Sequence, residues 1–121
     1  MRILIVDDSS VMRKIVTRGL RQAGFKMDEV VEAGNGQEGL DALAADSNVQ
    51  LILSDWNMPV MDGLNFVKGV RSSGNNTPII MVTTEGGESK LQAAMGAGAN
   101  GHIKKPFTPD TLRETLGQYF K

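Results

Sequence analysis

Ile3-Leu4-Ile5-Val6-Asp7-Asp8-Ser9-Ser10 is the stretch from which the rest of the chain can be read. A compact apolar run ended abruptly by two carboxylates reads as a buried strand rather than an amphipathic one. Ser9 or Ser10 then caps a helix that runs to about Ala23, where Gly24 stops it. Val11, Ile15, Val16 and Leu20 supply its inward stripe, with Arg13, Lys14, Arg18 and Arg21 facing away.

The same strand-then-helix unit recurs four more times. Val30-Val31 centres a second strand, and Asn35 caps a helix with Leu40, Leu43 and Ala44 inward. Leu51-Ile52-Leu53 is a third strand ending at Asp55; a loop with Pro59 and Gly63 leads to a helix marked by Leu64, Phe66, Val67 and Val70. Pro78 opens Ile79-Ile80-Met81-Val82, which ends at Thr83. The helix that follows, from about Glu88 to Gly96 with Leu91, Ala94 and Met95 inward, is the weakest. Glycines at 86, 87, 96, 98 and 101 predict a short, relatively mobile element there. His102-Ile103-Lys104 is a brief fifth strand, and Thr108-Pro109 opens a last helix with Leu112, Leu116 and Phe120 inward.

Strand starts roughly 25 residues apart imply a parallel sheet with helices on both faces. Five strands are too few for an eight-stranded barrel, which leaves an open, doubly wound α/β sheet. Such sheets bind ligands at the carboxyl ends of their strands.

Composition narrows the function. A length of 121 residues fits one domain, so an output domain is not expected. Thirteen Lys and Arg against fourteen Asp and Glu argue against a nucleic-acid binder. The chain has no cysteine, which excludes a disulfide framework, a thiolate zinc site and a thiol nucleophile. Its apolar runs are too short to cross a membrane, so a cytoplasmic monomer with no membrane contact is expected. The charge is nonetheless segregated. Residues 1–26 hold six basic and two acidic groups, and residues 27–65 hold eight acidic groups and no basic one. Solvated helix faces are the plain explanation of such blocks; convergence of particular groups would be the functional one.

At the strand ends the special residues do converge in sequence terms. Asp7 and Asp8 end the first strand, Asp55 the third and Thr83 the fourth, while Lys105 follows the fifth. Two unit charges about 4 Å apart repel by roughly 4 kcal/mol at an effective dielectric near 20. Three clustered carboxylates therefore call for a cation, a shifted pKa or both. Hard oxygen ligands suit Mg²⁺, and a lysine and a hydroxyl beside it suit an anion carried by the metal. That is a phosphoryl-transfer site. No GxxxxGK[ST] loop follows the first strand, so it is not a P-loop site. The Asp-x-Asp spacing of haloacid dehalogenase phosphatases is absent too. The simplest assignment makes Asp55 the nucleophile, forming an acyl phosphate, with Asp7 and Asp8 holding the metal.

Across essentially its whole length the sequence resembles the receiver domain of two-component response regulators. The resemblance rests on Asp7-Asp8, on Asp55-Trp56-Asn57-Met58-Pro59 with Asp62-Gly63 behind it, on Thr83, and on Lys105-Pro106-Phe107. Among receivers it is most similar to the single-domain chemotaxis regulators. This implies a flavodoxin-like (βα)5 fold with strand order 2-1-3-4-5. It also implies that Asp55 accepts a phosphoryl group from a histidine kinase, a phosphotransfer domain or a small donor such as acetyl phosphate. Asp8, Asp55 and the Asn57 carbonyl would bind Mg²⁺, with Asp7 assisting through water. Lys105 would pair with the phosphoryl oxygens, Thr83 would move to hydrogen-bond them, and Asn57 and Glu85 would tune hydrolysis. Trp56 should report metal binding by fluorescence. The face made by the fourth helix, fifth strand and fifth helix would then bind a protein target in trans.

Three positions depart from the family pattern. His102 stands where receivers carry the Tyr or Phe that swings inward with the threonine, which would make coupling pH-sensitive. Thr84 replaces a small residue and would crowd donor access. Glu88, Thr115 and Gln118 stand where regulators that bind the flagellar motor switch carry basic residues, which argues against that target. Two other classes remain: an Mg²⁺-dependent phosphohydrolase of small phosphate esters, and a receiver cut from a longer regulator or working without phosphorylation. The basic residues of the first helix are a further docking candidate, with a solvated face as the plain alternative.

Overall fold

Alternating apolar runs and amphipathic segments fold as β1 (Arg2–Val6), α1 (Ser10–Gln22), β2 (Glu29–Ala33), α2 (Gly36–Ala45), β3 (Leu51–Ser54), α3 (Gly63–Ser72), β4 (Ile79–Thr83), α4 (Glu88–Ala97), β5 (Gly101–Lys104) and α5 (Pro109–Leu116). A 3-10 turn, Gly117–Tyr119, follows α5. The computed structural model describes residues 1–83 and 88–119; Thr84, Glu85, Gly86, Gly87, Phe120 and Lys121 fall outside these residues, as does the side chain of Glu88.

The five strands are all parallel, in the order β2-β1-β3-β4-β5. The order follows the expectation. Successive side chains of a strand point to opposite faces, so β1 feeds two cores at once. Ile3 and Ile5 pack with Val16, Leu20, Leu112 and Leu116 beneath α1 and α5. Leu4 and Val6 pack with Phe66, Val67, Val70 and Ala94 beneath α2, α3 and α4. Each of the larger of these side chains contributes about 1.5–3 kcal/mol by leaving water.

Caps set the helix starts. The Ser9 hydroxyl accepts from the Met12 amide, Asn35 from Glu38, Asp62 from Asn65 and Thr108 from Thr111. Gly24 leaves α1 at φ +91°, where a side chain would be strained.

Some side chains do not face as the sequence predicts. Val11 and Ile15 are 64% and 43% exposed, not inward. The buried stripe of α1 is Val16, Gly19 and Leu20, and Ile15 lies about 100° round the helix from Val16. Gly19 carries no apolar signal, yet a Cβ there would meet Phe107 and Leu112 at 3.0 Å. Arg13 turns inward instead of away, donating to the Asp7 carbonyl. Ala44 is exposed while Ala42 packs on the core, and Met95 is 42% exposed. α4 spans ten residues, as do α2 and α3, so it is not short. Its last turn takes Gly96, and Gly98 at φ +120° lies beyond its end.

Candidate functional site

The parallel sheet sends β1, β3, β4 and β5 out at one edge, where their following loops gather. β1 ends at Val6, and the buried Asp7 and exposed Asp8 follow it. The Asp55 amide donates to the Val6 carbonyl at 2.9 Å, which fixes the acid just past β3 beside the end of β1. The Lys105 amide donates to the Thr83 carbonyl at 2.8 Å, which brings the β5–α5 loop to the end of β4.

This backbone frame brings the charged side chains together. One carboxylate oxygen from each of Asp7, Asp8 and Asp55 lies within 4.8 Å of the others. Lys105 Nζ sits 3.3 Å from Asp7 Oδ2 and 3.6 Å from Asp55 Oδ1, with only a tenth of its side chain exposed. Asp7 Oδ1 accepts from the Ser9 amide and Asp55 Oδ1 from the Trp56 amide. Asp7 and Asp55 thus share one ammonium, and Asp8 completes the acidic cluster beside them. Burial pushes the Asp55 carboxyl above its ordinary value; Lys105 and the Trp56 amide pull it down, while Asp7 and Asp8 push it further up.

A hard divalent cation fits this donor set. The grouped atoms are carboxylate oxygens at a spacing that one ion can bridge, and their charge exceeds what Lys105 balances. Mg²⁺ typically takes one or two carboxylates and keeps open positions for water or a phosphate.

The remaining sequence candidates lie around this centre. Thr83 ends β4 and is half-buried, while Asn57 is exposed in the loop two residues past Asp55. His102 is exposed on β5, in register with Met81 of β4. Thr84 and Glu85 lie outside the described residues.

Several further residues support this centre; Gly63 belongs to the Asp62-Gly63 pair already marked in the sequence, whereas Arg13, Ser54 and Lys90 carry no such signal. The Arg13 guanidinium donates to the Asp7 carbonyl at 2.5 Å and to Glu32 at 2.9 Å, so it steadies the turn that presents Asp7 and Asp8. The Ser54 hydroxyl donates to the Asp55 carbonyl. A Cβ on Gly63 would stand 2.4 Å from that same carbonyl, so only glycine lets α3 start this close to Asp55. The Lys90 ammonium lies 6.0 Å from the centre of the Trp56 ring, at the outer limit of a cation–π contact.

Comparison with known proteins agrees with this geometry. Residues 3–117 match the family model described as the response regulator receiver domain. The chain is 46% identical over 118 residues to chemotaxis protein CheY1 of Helicobacter pylori, covering 96% of this chain and 94% of that protein. It is 48% identical over 118 residues to the chemotaxis protein CheY homolog of Campylobacter jejuni, covering 96% of this chain and 89% of that protein. Among solved structures, Vibrio cholerae chemotaxis protein CheY4 superposes with a TM-score of 0.84 at 42% identity, covering 98% of this chain and 97% of that one.

Proposed function

Because this chain belongs to the response regulator receiver family, we propose that it is a chemotaxis signalling protein that takes a phosphoryl group onto Asp55 and passes the signal to a protein target in trans. The observation that carries this reading is the convergence of Asp7, Asp8 and Asp55, with the Lys105 ammonium held between Asp7 and Asp55. The names of the relatives support the chemotaxis part.

The reaction is an in-line displacement at phosphorus. An Asp55 carboxylate oxygen forms a bond to the phosphorus of a phosphohistidine or an acyl phosphate. The P–N or P–O bond to the donor breaks, and the leaving group departs with its electron pair and takes up a proton from solvent. Asp8, Asp55 and the Asn57 carbonyl would hold Mg²⁺, with Asp7 acting through water; the bound ion supplies charge neutralisation for the phosphoryl oxygens. Lys105, already between Asp7 and Asp55, exchanges part of that pairing for the new oxygens. Thr83 donates its hydroxyl to them, and so biases an equilibrium of the α4–β5–α5 face already present. His102 lies on that face. Water attack on phosphorus returns the Asp55 carboxylate, with Asn57 and Glu85 setting access. The chain turns over no foreign substrate and works in the cytoplasm as a monomer. Thr115 of α5 and Gln118 of the turn after it stand where regulators that bind the flagellar motor switch carry basic residues, so a target other than that switch fits this face better.

Mass spectrometry after incubation with acetyl phosphate and Mg²⁺ tests the assignment. One added phosphoryl group is expected, and Asp55→Asn should remove it entirely. Equal labelling of the variant overturns Asp55 as acceptor. Steady hydrolysis of a phosphomonoester without an acyl phosphate would point to a phosphohydrolase instead.

A further inference from the structure

The four basic residues of α1 divide into one that is engaged and three that are not. Arg13 is held by the Asp7 carbonyl and Glu32. Lys14, Arg18 and Arg21 are exposed and have no hydrogen-bond or ion-pair partner among the described residues. They form one wall of an open groove of about 510 Å³. The opposite wall is β2 and its approach, with Met27, Asp28, Glu29, Val30 and Glu32.

The acids on that wall are already matched. Asp28 accepts from the Met1 amino group at 2.5 Å, Glu29 pairs with Arg2, and Glu32 pairs with Arg13. None of these three cations lines the groove. The positive charge of Lys14, Arg18 and Arg21 is therefore left over for something else. The half-buried Met27 and Val30 give the groove an apolar component. β2 is also an edge strand: it pairs with β1 and has no strand on its outer side among the described residues. An exposed edge invites another strand.

We propose that this groove binds an acidic, extended peptide segment of a partner protein, which adds to β2 as a further strand and sets its carboxylates against Lys14, Arg18 and Arg21. The spacings agree. Lys14 and Arg18 are separated by about 6 Å along the helix and Arg18 and Arg21 by about 4.5 Å. Side chains on one face of an extended peptide repeat every ~6.7 Å. Backbone pairing supplies affinity and the charges supply selectivity, the division of labour in strand addition. The proposal does not depend on phosphorylation of Asp55.

Fluorescence anisotropy with a labelled, acetylated (Glu-Val)4 amide tests it. Saturable binding is expected, weakened at least tenfold in 0.5 M salt and at least tenfold by the double variant Arg18→Glu/Arg21→Glu. Acetyl phosphate should label that variant like the parent, which verifies its fold and separates this question from the acceptor assignment. A (Glu-Pro)4 amide keeps the charge but cannot pair along the edge, and should bind at least tenfold more weakly. Absence of saturable binding up to 1 mM overturns the proposal. So does equal affinity for the double variant, for the proline peptide, for a (Lys-Val)4 amide or for oligouridylate.

Discussion

The two edges of the sheet solve opposite problems. At the amino edge the Arg71 guanidinium, on the last turn of α3, donates to the carbonyls of Asn75, Thr77 and Gly98 and to Asn100 Oδ1, all at 2.8–3.0 Å. One cation there closes the approaches to β4 and β5. At the carboxyl edge three acids cluster, two of them sharing one lysine, and Asp55 is held above its ordinary pKa by burial. The backbone repeats the contrast. Residues at positive φ where helices return to the amino edge are the glycines 24, 74 and 98, whereas the carboxyl edge places Val60 at φ +67°. Charge and strain are satisfied at the edge where the fold is held and left unsatisfied at the edge proposed to act.

The strongest test of that division is Arg71→Ala. Charged hydrogen bonds contribute about 1.5–3 kcal/mol each when made, and their loss strands several carbonyls, so a total loss of about 3 kcal/mol is expected. For a domain of this size that lowers Tm by about 10 °C. The Mg²⁺ response of Trp56 fluorescence should be unchanged in the folded variant. A weakened Mg²⁺ response would show that the two edges are coupled.

A smaller effect probes the other edge. Mg²⁺ at ten times its half-saturating concentration should stabilise the protein by about 1.4 kcal/mol, because it binds the folded state. That corresponds to a rise in Tm of about 5 °C. The pH dependence has a definite sign. Asp55 has a folded pKa raised above its ordinary 3.8, so without metal it contributes stability that is present at pH below 3.8 and lost as pH rises through the raised value. Metal binding needs the ionised form and has the opposite dependence. Thermal midpoints measured with and without Mg²⁺ should therefore converge as pH falls past the raised Asp55 value. A gap of constant size down to pH 3.8 would mean that Asp55 is not a ligand.

The two edges also differed in how far the sequence revealed them. Four-residue apolar runs ended by Asp7-Asp8 or by Thr83 announce buried strands and mark their carboxyl ends, so the acidic cluster was legible before any coordinates. Its reading as a receiver site rests on the spacing of Asp55, Thr83 and Lys105, which chain order alone displays. The Arg71 clasp was not legible, because three of its four acceptors are backbone carbonyls, which every residue has. Arg13 failed for a similar reason: its main partner is the Asp7 carbonyl, and periodicity counts an arginine as outward. In α1 the apolar Val11 and Ile15 misled, because a helix can carry apolar residues beyond the arc that packs. Close approach to α5 at Gly19 leaves no hydrophobic trace.

Val60 gives the smallest effect. It is 83% exposed, and the Met61 amide donates to the Pro59 carbonyl across it at 2.7 Å, closing a three-residue turn. The Met61 carbonyl in turn accepts from the Gly36 amide, which ties this turn to the start of α2. A β-branched residue at positive φ costs roughly 1–2 kcal/mol. Glycine removes that strain but loses about 0.4–1 kcal/mol through the freedom of its unfolded chain. Val60→Gly should therefore stabilise the protein by about 0.5–1 kcal/mol, or 2–4 °C in Tm. Val60→Thr keeps the branched shape and removes only the apolar surface, so its Tm should stay at the parent value. The pair separates strain from exposure as the source of the cost. A Tm below the parent's in Val60→Gly would mean that the turn beside Asp55 is held by the valine side chain rather than strained by it, and the contrast between the edges would then rest on charge alone.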